Sequence, residues 1–316
     1  MPDLKLAIGA EAIGPEAIGP EALRSLSDDT LARRIRLGVS DEPALVHEYY
    51  RRCIPVYESI LGLHWHTGWY QRPDRAPTPQ DQERMIAVLA ASAQLQAGMR
   101  VLDVGCGIGG TVVWLTRHVQ VEAVGITPVL EQKLIADQRL AREGLAAAAT
   151  IELGRAEALA FPDASFDAVL FLESPCHMSD RGSFFREAFR VLKPGGRLVG
   201  EDWVGVCSEG LSGASTALRQ VERLWAIPAL GSADEYVRLM QLAGFAECQI
   251  FDLRDQCLIE QGFAVSASEQ SSLRSQIEEC REPMLRLTLE GLLALGQAMA
   301  AGDFTVARFV AVRPLN

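Results

Sequence analysis

The stretch Val101-Leu102-Asp103-Val104-Gly105-Cys106-Gly107-Ile108-Gly109-Gly110 decides how this chain folds. A short apolar run breaks into a glycine-dense turn, and an apolar helical pattern follows from Thr111 to Arg117. Glycine lacks Cβ, so the turn can take positive φ and let a ligand lie against the backbone. The helix N-terminus behind it offers unpaired N–H groups and a positive dipole end to polar ligand atoms. The arrangement predicts a nucleotide-like ligand.

Gly105, Gly107 and Gly110 fit the dinucleotide spacing G-x-G-x-x-G, which alone is a weak signal. That reading needs an acid about 20 residues on, to bind ribose hydroxyls. The chain there reads Gly125-Ile126-Thr127. Asp103, two residues before the first glycine, gives instead a DxGxGxG arrangement that resembles motif I of the Rossmann-like S-adenosylmethionine (SAM)-dependent methyltransferases. The resemblance implies SAM as cofactor, with Asp103 orienting the turn near the amino acid part of SAM and Gly105, Cys106, Gly107 and Gly109 in the cofactor site.

Downstream, strand and helix patterns alternate, which predicts a parallel sheet. Strand two, Glu122 to Ile126, leads into Gly125-Ile126-Thr127-Pro128-Val129-Leu130-Glu131-Gln132, which resembles the GIT(x)₄Q run of sterol, tocopherol and cyclopropane-type methyltransferases. The resemblance gives Gln132 a ribose contact and Thr127 a backbone or hydroxyl contact; an exposed glutamine on a helix N-terminus is the plainer alternative. After strand three, Thr150 to Leu153, the segment Gly154 to Pro162 looks like the family's adenine-binding turn. Arg155 stands where that turn carries aspartate, so the adenine contacts fall to Ala156 and Glu157. Strand four, Phe166 to Phe171, ends in Leu172-Glu173-Ser174-Pro175-Cys176-His177-Met178, equivalent to the ExxxH segment of small-molecule methyltransferases. Ligands bind at the carboxyl ends of such strands. Leu172 is therefore a cofactor contact, and Glu173 stands between the SAM methyl group and an acceptor as a general base, unless it serves structure or touches SAM alone. His177 is a second candidate base or an orienting residue.

Lys193-Pro194-Gly195-Gly196 closes a helix and, by family resemblance, opens strand five at Arg197 to Glu201. Trp203 just beyond is read as facing the substrate, and Glu201 and Asp202 either face the same crevice or are solvated. A helical segment from Gly210 to Trp225 resembles a lid, and the helix from Ser232 to Ala243 ends in the family's AGF. Strand six is Cys248 to Leu253. A long helix follows, with Ile277, Cys280, Met284 and Leu287 on one face and a kink at Pro283, before the last strand, Phe304 to Val312. The fold expected is α/β: a seven-stranded Rossmann-like sheet with helices on both faces, an N-terminal helical extension and a helical lid insertion at about 205–230.

Upstream, residues 1–27 carry an AIGAE-AIGPE-AIGPE repeat broken by glycine and proline, read as a mobile arm that is either idle or packs on a second subunit as a homo-oligomer contact. Residues 28–80 form a substrate cap and 81–316 the methyltransferase domain. Pro43 to Leu63 is helical, kinked at Pro55. It runs into an aromatic and histidine cluster, so Tyr49, Tyr57, His64, Trp65, His66 and Trp69 are either a substrate wall able to face a cation or plain core. His64 and His66, at i and i+2, aim the same way in an extended chain; without nearby acids no metal site is expected. Arg72 to Pro79 is a linker.

With 316 residues, 48% hydrophobic content and a net charge of −11, the chain can bury one large core but lacks the basic footprint of a nucleic-acid binder. Seven cysteines without a CxxC pair, no signal peptide and no membrane-length apolar run point to a reduced, cytoplasmic setting. The resemblance spans residues 85 to 312. It implies methyl transfer to a small molecule: C-methylation of an isoprenoid-like or aromatic secondary metabolite, as in sterol, tocopherol and geranyl diphosphate C-methyltransferases. N- or O-methylation of a polar metabolite and a catalytically silent SAM-binding subunit are the alternatives. A diphosphate substrate would call for Mg²⁺ and arginines, with Arg51, Arg52, Arg72 or Arg75 as sources of charge.

Overall fold

The computed structural model describes residues 19–38, 43–70, 78–206, 216–257 and 267–315. Most of the repeat, Arg72, Arg75 and residues 207–215 of the expected lid therefore lie outside the described residues. Three helices come first: α1 (Pro20–Ser25), α2 (Asp28–Arg36) and α3 (Pro43–Ile60). Leu23 of α1 is fully buried, so packed structure begins inside the segment read as a mobile arm. Pro55 lies within α3. Then follow α4 (Pro79–Ser92), β1 (Arg100–Val104), α5 (Gly110–His118), β2 (Glu122–Thr127), α6 (Leu130–Arg142), β3 (Ala149–Leu153) and β4 (Phe166–Leu172). After a 3₁₀ turn at Pro175–His177 come α7 (Arg181–Val191), β5 (Leu192–Gly205), α8 (Thr216–Leu224), α9 (Ala233–Ala243), β6 (Ala246–Asp252), α10 (Ala267–Glu279), α11 (Pro283–Ala300) and β7 (Phe304–Val312).

The sheet runs β3-β2-β1-β4-β5-β7-β6. From β3 to β5 every pair is parallel, as strand–helix alternation requires. The last strand departs from the all-parallel expectation: β7 inserts between β5 and β6 and runs antiparallel to both. One sheet face packs Val101, Leu170, Val199 and Val306 against Leu89, Leu115 and Leu287. The other packs Leu102, Val169, Leu198 and Phe309 against Phe184, Phe185 and Tyr236. Helices thus cover both faces, and among the described residues no helix is long and apolar enough to cross a membrane.

Among the boundaries that differ from the sequence reading, two bear on the architecture. Strand five does not stop at Glu201; it continues to Gly205 because β7 pairs with it throughout, Arg197↔Val312 to Gly205↔Phe304. Nor does Pro283 kink one long helix. The chain breaks after Glu279, and Pro283 occupies the first turn of α11, where its missing N–H costs nothing. Glu282 caps that turn by accepting from Met284 N. Helix α8 packs on α11 and α2, so the cap over the sheet is assembled from both ends of the sequence.

Candidate active site

A cleft open on one side crosses the carboxyl ends of β1, β2 and β4 beneath α3 and the 63–66 segment. The glycine turn forms its floor. Ile126 O of β2 accepts from Gly105 N (3.0 Å) and Cys106 N (2.9 Å), and Ser174 Oγ donates to Val104 O at 2.6 Å. Gly105 has φ 82°, and a Cβ there would lie 2.4 Å from Ser174 Cβ. Gly107, φ 52°, would meet only Trp65 Cε3 at 3.8 Å, so its free face opens on the cleft. Asp103 does not orient the turn by hydrogen bonding, since it makes no such bond among the described residues. It is buried with Oδ2 unpartnered, and burial pushes its carboxyl up to about 7.

Asp103, Gly105, Cys106, Gly107, Thr127, Gln132, Ala156, Glu157 and Leu172 all line the cleft. Thr127 Oγ1 donates to Gln132 Oε1 at 2.6 Å, which leaves the amide NH₂ of Gln132 for a ligand. Gly109 does not line it. Its φ of 83° starts α5, and its free face abuts Ala136 of α6 at 3.0 Å, so this glycine serves packing. The set fits SAM: an unpartnered buried carboxylate oxygen suits a cationic end, the Gly107 cradle would be filled by a side chain, and Gln132 and Glu157 add a free amide and a carboxylate to the same cleft.

Glu173 follows β4 directly, in the left-handed conformation (φ 45°) that non-glycine residues rarely adopt. Its N–H donates to Glu201 O at 2.9 Å. Oε1 accepts from Thr67 N (2.9 Å) and Thr67 Oγ1 (2.5 Å). Burial raises the carboxyl to about 7 against these bonds, which pull it down. His177 Nε2 lies 2.5 Å from the Tyr50 hydroxyl across the cleft, and burial lowers its imidazolium to about 4. The ring is therefore neutral near pH 7.

His64, Trp65 and His66 line the cleft. The two imidazoles lie 5.6 Å apart between ring centroids, and burial lowers them to about 4 and about 3. Among the described residues His64 Nδ1 and His66 Nε2 are buried without partners. Among the described residues no group of three His, Cys, Asp or Glu is placed to hold a metal ion.

Four residues read as substrate contacts do not reach the cleft. Tyr49 and Tyr57 are buried behind it, hydroxyl to hydroxyl at 2.7 Å, because α3 turns that stripe toward the core. Trp69 is held over α4 by its N–H to Asp81 O (2.8 Å). Trp203, on the extended β5, is wedged between Trp225 and Phe304. Glu201 and Asp202 are fully buried rather than solvated. Arg51 and Arg52 pair with Glu48, and neither enters the cleft. The sequence reading missed Pro43, Val46, His47 and Tyr50, which line it from α3. Their spacing of i, i+3, i+4 and i+7 marks one helix face and was the available signal. It also missed Thr67, whose only mark was its place inside the aromatic cluster.

An open sheet in this strand order, with a glycine turn after β1, a polar pair after β2 and a buried carboxylate after β4, defines a Rossmann-like class that binds SAM at its strand tips. A family profile described as a methyltransferase domain matches residues 102–200. The chloroplastic tocopherol O-methyltransferase of Arabidopsis thaliana is 33% identical over 217 residues, 62% of this chain and 61% of that protein. Methyltransferase GfsG of Streptomyces halstedii is 32% identical over 221 residues, 67% of this chain and 76% of that one. In fold, geranyl diphosphate C-methyltransferase from Streptomyces coelicolor A3(2), solved with Mg²⁺, geranyl diphosphate and S-adenosyl-L-homocysteine, superposes with a TM-score of 0.63 at 19% identity, covering 84% of this chain and 97% of that one. The chain belongs to the SAM-dependent methyltransferase family.

Proposed function

We propose that the enzyme methylates an apolar small molecule, isoprenoid-like or aromatic, at carbon, with Glu173 as general base. One observation carries this reading: a carboxylate at the tip of β4, raised to about 7, fixed on one oxygen by Thr67 and lining the cleft that Asp103, Gln132 and Glu157 share. Bound SAM supplies an electrophilic methyl group on a cationic sulfonium. Asp103, the glycine turn, Gln132, Ala156 and Glu157 hold it, and α3 with the 63–66 segment shuts water from the acceptor. Positioning supplies most of the rate for such a displacement. Glu173 then receives the proton that the methylated carbon releases, and the Tyr50 and Trp65 rings face the transient cation.

O-methylation is the second reading, favoured by the tocopherol relative's name and by a base near 7, suited to a phenol or enol hydroxyl. The described wall disfavours a diphosphate: Asp103, Glu157 and Glu173 face Arg155 as the one guanidinium, and Arg155 already lies 3.4 Å from Glu157. An uncharged acceptor needs no Mg²⁺.

The test is labelled SAM with a panel of isoprenoids, phenols and amines, locating the label in the product. Label on carbon supports the first reading and label on oxygen the second. No turnover despite SAM binding would indicate a silent SAM-binding subunit. Glu173→Gln should lose roughly 10²-fold or more in kcat with SAM affinity unchanged; full activity would overturn the base assignment.

A further inference from the structure

Behind Glu173 sits a second carboxyl to which the reaction above gives no part. Glu201 is 0% exposed, and among the described residues neither of its side-chain oxygens has a hydrogen-bond partner. It lies directly across the sheet from the tip of β4: Leu172 pairs with Glu201 in the β4–β5 register, and Glu173 N donates to Glu201 O at 2.9 Å. The adjacent residues His66 and Thr67 straddle the two acids. Thr67 binds Glu173 Oε1, while His66 Nδ1 lies 3.9 Å from Glu201 Oε1 and is bonded to Thr67 O at 2.9 Å.

We propose that Glu173 and Glu201 form a carboxyl pair holding one proton at neutral pH, with the proton resident on Glu201 so that Glu173 stands free as the base.

The argument is one of unequal surroundings. Two carboxylates sharing a buried site cannot both ionise cheaply, and the better solvated, better bonded member ionises first. Glu173 has two donors from Thr67 and a face on the cleft. Glu201 has neither, and an un-ionised acid is the form that a site without donors tolerates. The groups facing Glu201 leave this unchanged. Across the β4–β5 pair is Glu173, which repels its charge; from the 63–66 segment comes His66, neutral by burial; beyond Leu253 comes the Cys257 thiol, raised out of reach by burial. Asp202, next in β5, turns to the other face and accepts from Tyr236 Oη at 2.9 Å. Arg308 is the register partner of Glu201 on β7. Its guanidinium goes instead to Ser92 Oγ (3.1 Å) and over the Phe251 ring (4.5 Å), with no ion pair to Glu201. Burial and the neighbouring acids Glu173 and Asp202 accordingly raise Glu201 well above the ordinary carboxyl range. Glu201 is thus a positioning residue. Its proton keeps a second negative charge away from Glu173 and leaves Glu173 to collect the proton from the acceptor.

The role of the pair in turnover rests on Glu173 being the base, so the decisive measurement is independent of activity. Infrared spectra of the full chain, recorded about one pH unit above the range in which Glu173 and Asp103 titrate, should still show the C=O stretch of an un-ionised carboxylic acid. That band should vanish in Glu201→Gln and persist in Glu173→Gln. Its absence from the wild type, or its survival in Glu201→Gln, overturns the proposal. If Glu201→Gln does not fold, wild type grown with ¹³C-glutamate serves: a band at that pH that moves with the isotope supports the proposal, and one that does not move overturns it. In kinetics Glu201→Gln, an isostere of the neutral acid, should keep kcat within about threefold and leave the acid limb of the pH profile in place. A hundredfold loss in a folded, SAM-binding variant would show that Glu201 works ionised and overturn the assignment. Full activity of Glu173→Gln would remove the catalytic reading alone, leaving the infrared result to decide the proton's place.

Discussion

Thr67 shows how one side chain tunes another. Both of its donors converge on Glu173 Oε1, and both pull the carboxyl down while burial pushes it up to about 7. A general base acts only when ionised, so kcat should rise with pH, reach half its plateau near 7 and level off about one unit above. Thr67→Val deletes the hydroxyl and keeps the backbone donor. The acid limb should then move to higher pH by several tenths of a unit or more, since a hydrogen bond to the charged form favours that form, with a modest loss at the plateau. Rate–pH profiles of the two proteins at saturating SAM measure this directly. An unmoved limb would mean that the titrating group is not Glu173.

Among the elements, the two glycines that flank Ile108 separate binding from packing. Gly107 opens on the cleft, whereas Gly109 starts α5 against Ala136. Gly109→Ala should cost about 1–3 kcal/mol through its positive φ and the 3.0 Å approach, lowering Tm by several degrees, while the folded fraction keeps its SAM affinity. Gly107→Ala should instead weaken SAM binding, because the added methyl enters the cradle. Calorimetric Tm and SAM titration of both variants would refute this if Gly109→Ala lost affinity at unchanged Tm. The sequence could not tell these glycines apart, because turn motifs record spacing and not which free face meets a ligand. The positions of β1 to β4 in the chain were legible for a physical reason: buried parallel strands such as Phe166–Leu172 are short apolar runs bounded by turn residues. The direction of β7 was not, since an apolar strand reads alike in either direction. On α3 the aromatic content drew attention to Tyr49 and Tyr57, but the stripe Pro43, Val46, His47, Tyr50 meets the cleft. Two apolar faces of one helix become distinguishable only when its partners are known.

Across the whole molecule, buried titratable groups gather around one cleft and pull stability in opposite directions. His64, His66 and His177 have folded values of about 4, 3 and 4. Between those values and 6.5 the unfolded chain binds protons that the folded chain refuses, so these groups make stability rise with pH. Asp103 and Glu173 stand at about 7 and Asp202 at about 6, with Glu201 higher still. Above the ordinary carboxyl range the folded chain keeps protons that the unfolded chain has lost, so these groups make stability fall as pH rises. From about pH 4.5 to 6.5 the two sets oppose each other; above 6.5 the carboxyls act unopposed, joined in alkali by the buried thiols of Cys106 and Cys176, which burial raises, and the net charge of −11 at pH 7 adds self-repulsion. Stability should therefore peak in mildly acidic solution. The urea midpoint should be higher at about pH 5.5 than at about pH 8.5, with an unchanged m value if the native state is the same. SAM should narrow the gap, because a cationic ligand beside Asp103 pairs with the ionised carboxylate and binds more tightly as that group loses its proton. Urea titrations at both pH values, with and without SAM, decide the point. A midpoint that is higher in alkali without ligand would show that the carboxyls of the cleft are ionised in the folded chain, and that the charge pattern assigned to Glu173, Glu201 and Asp103 is wrong.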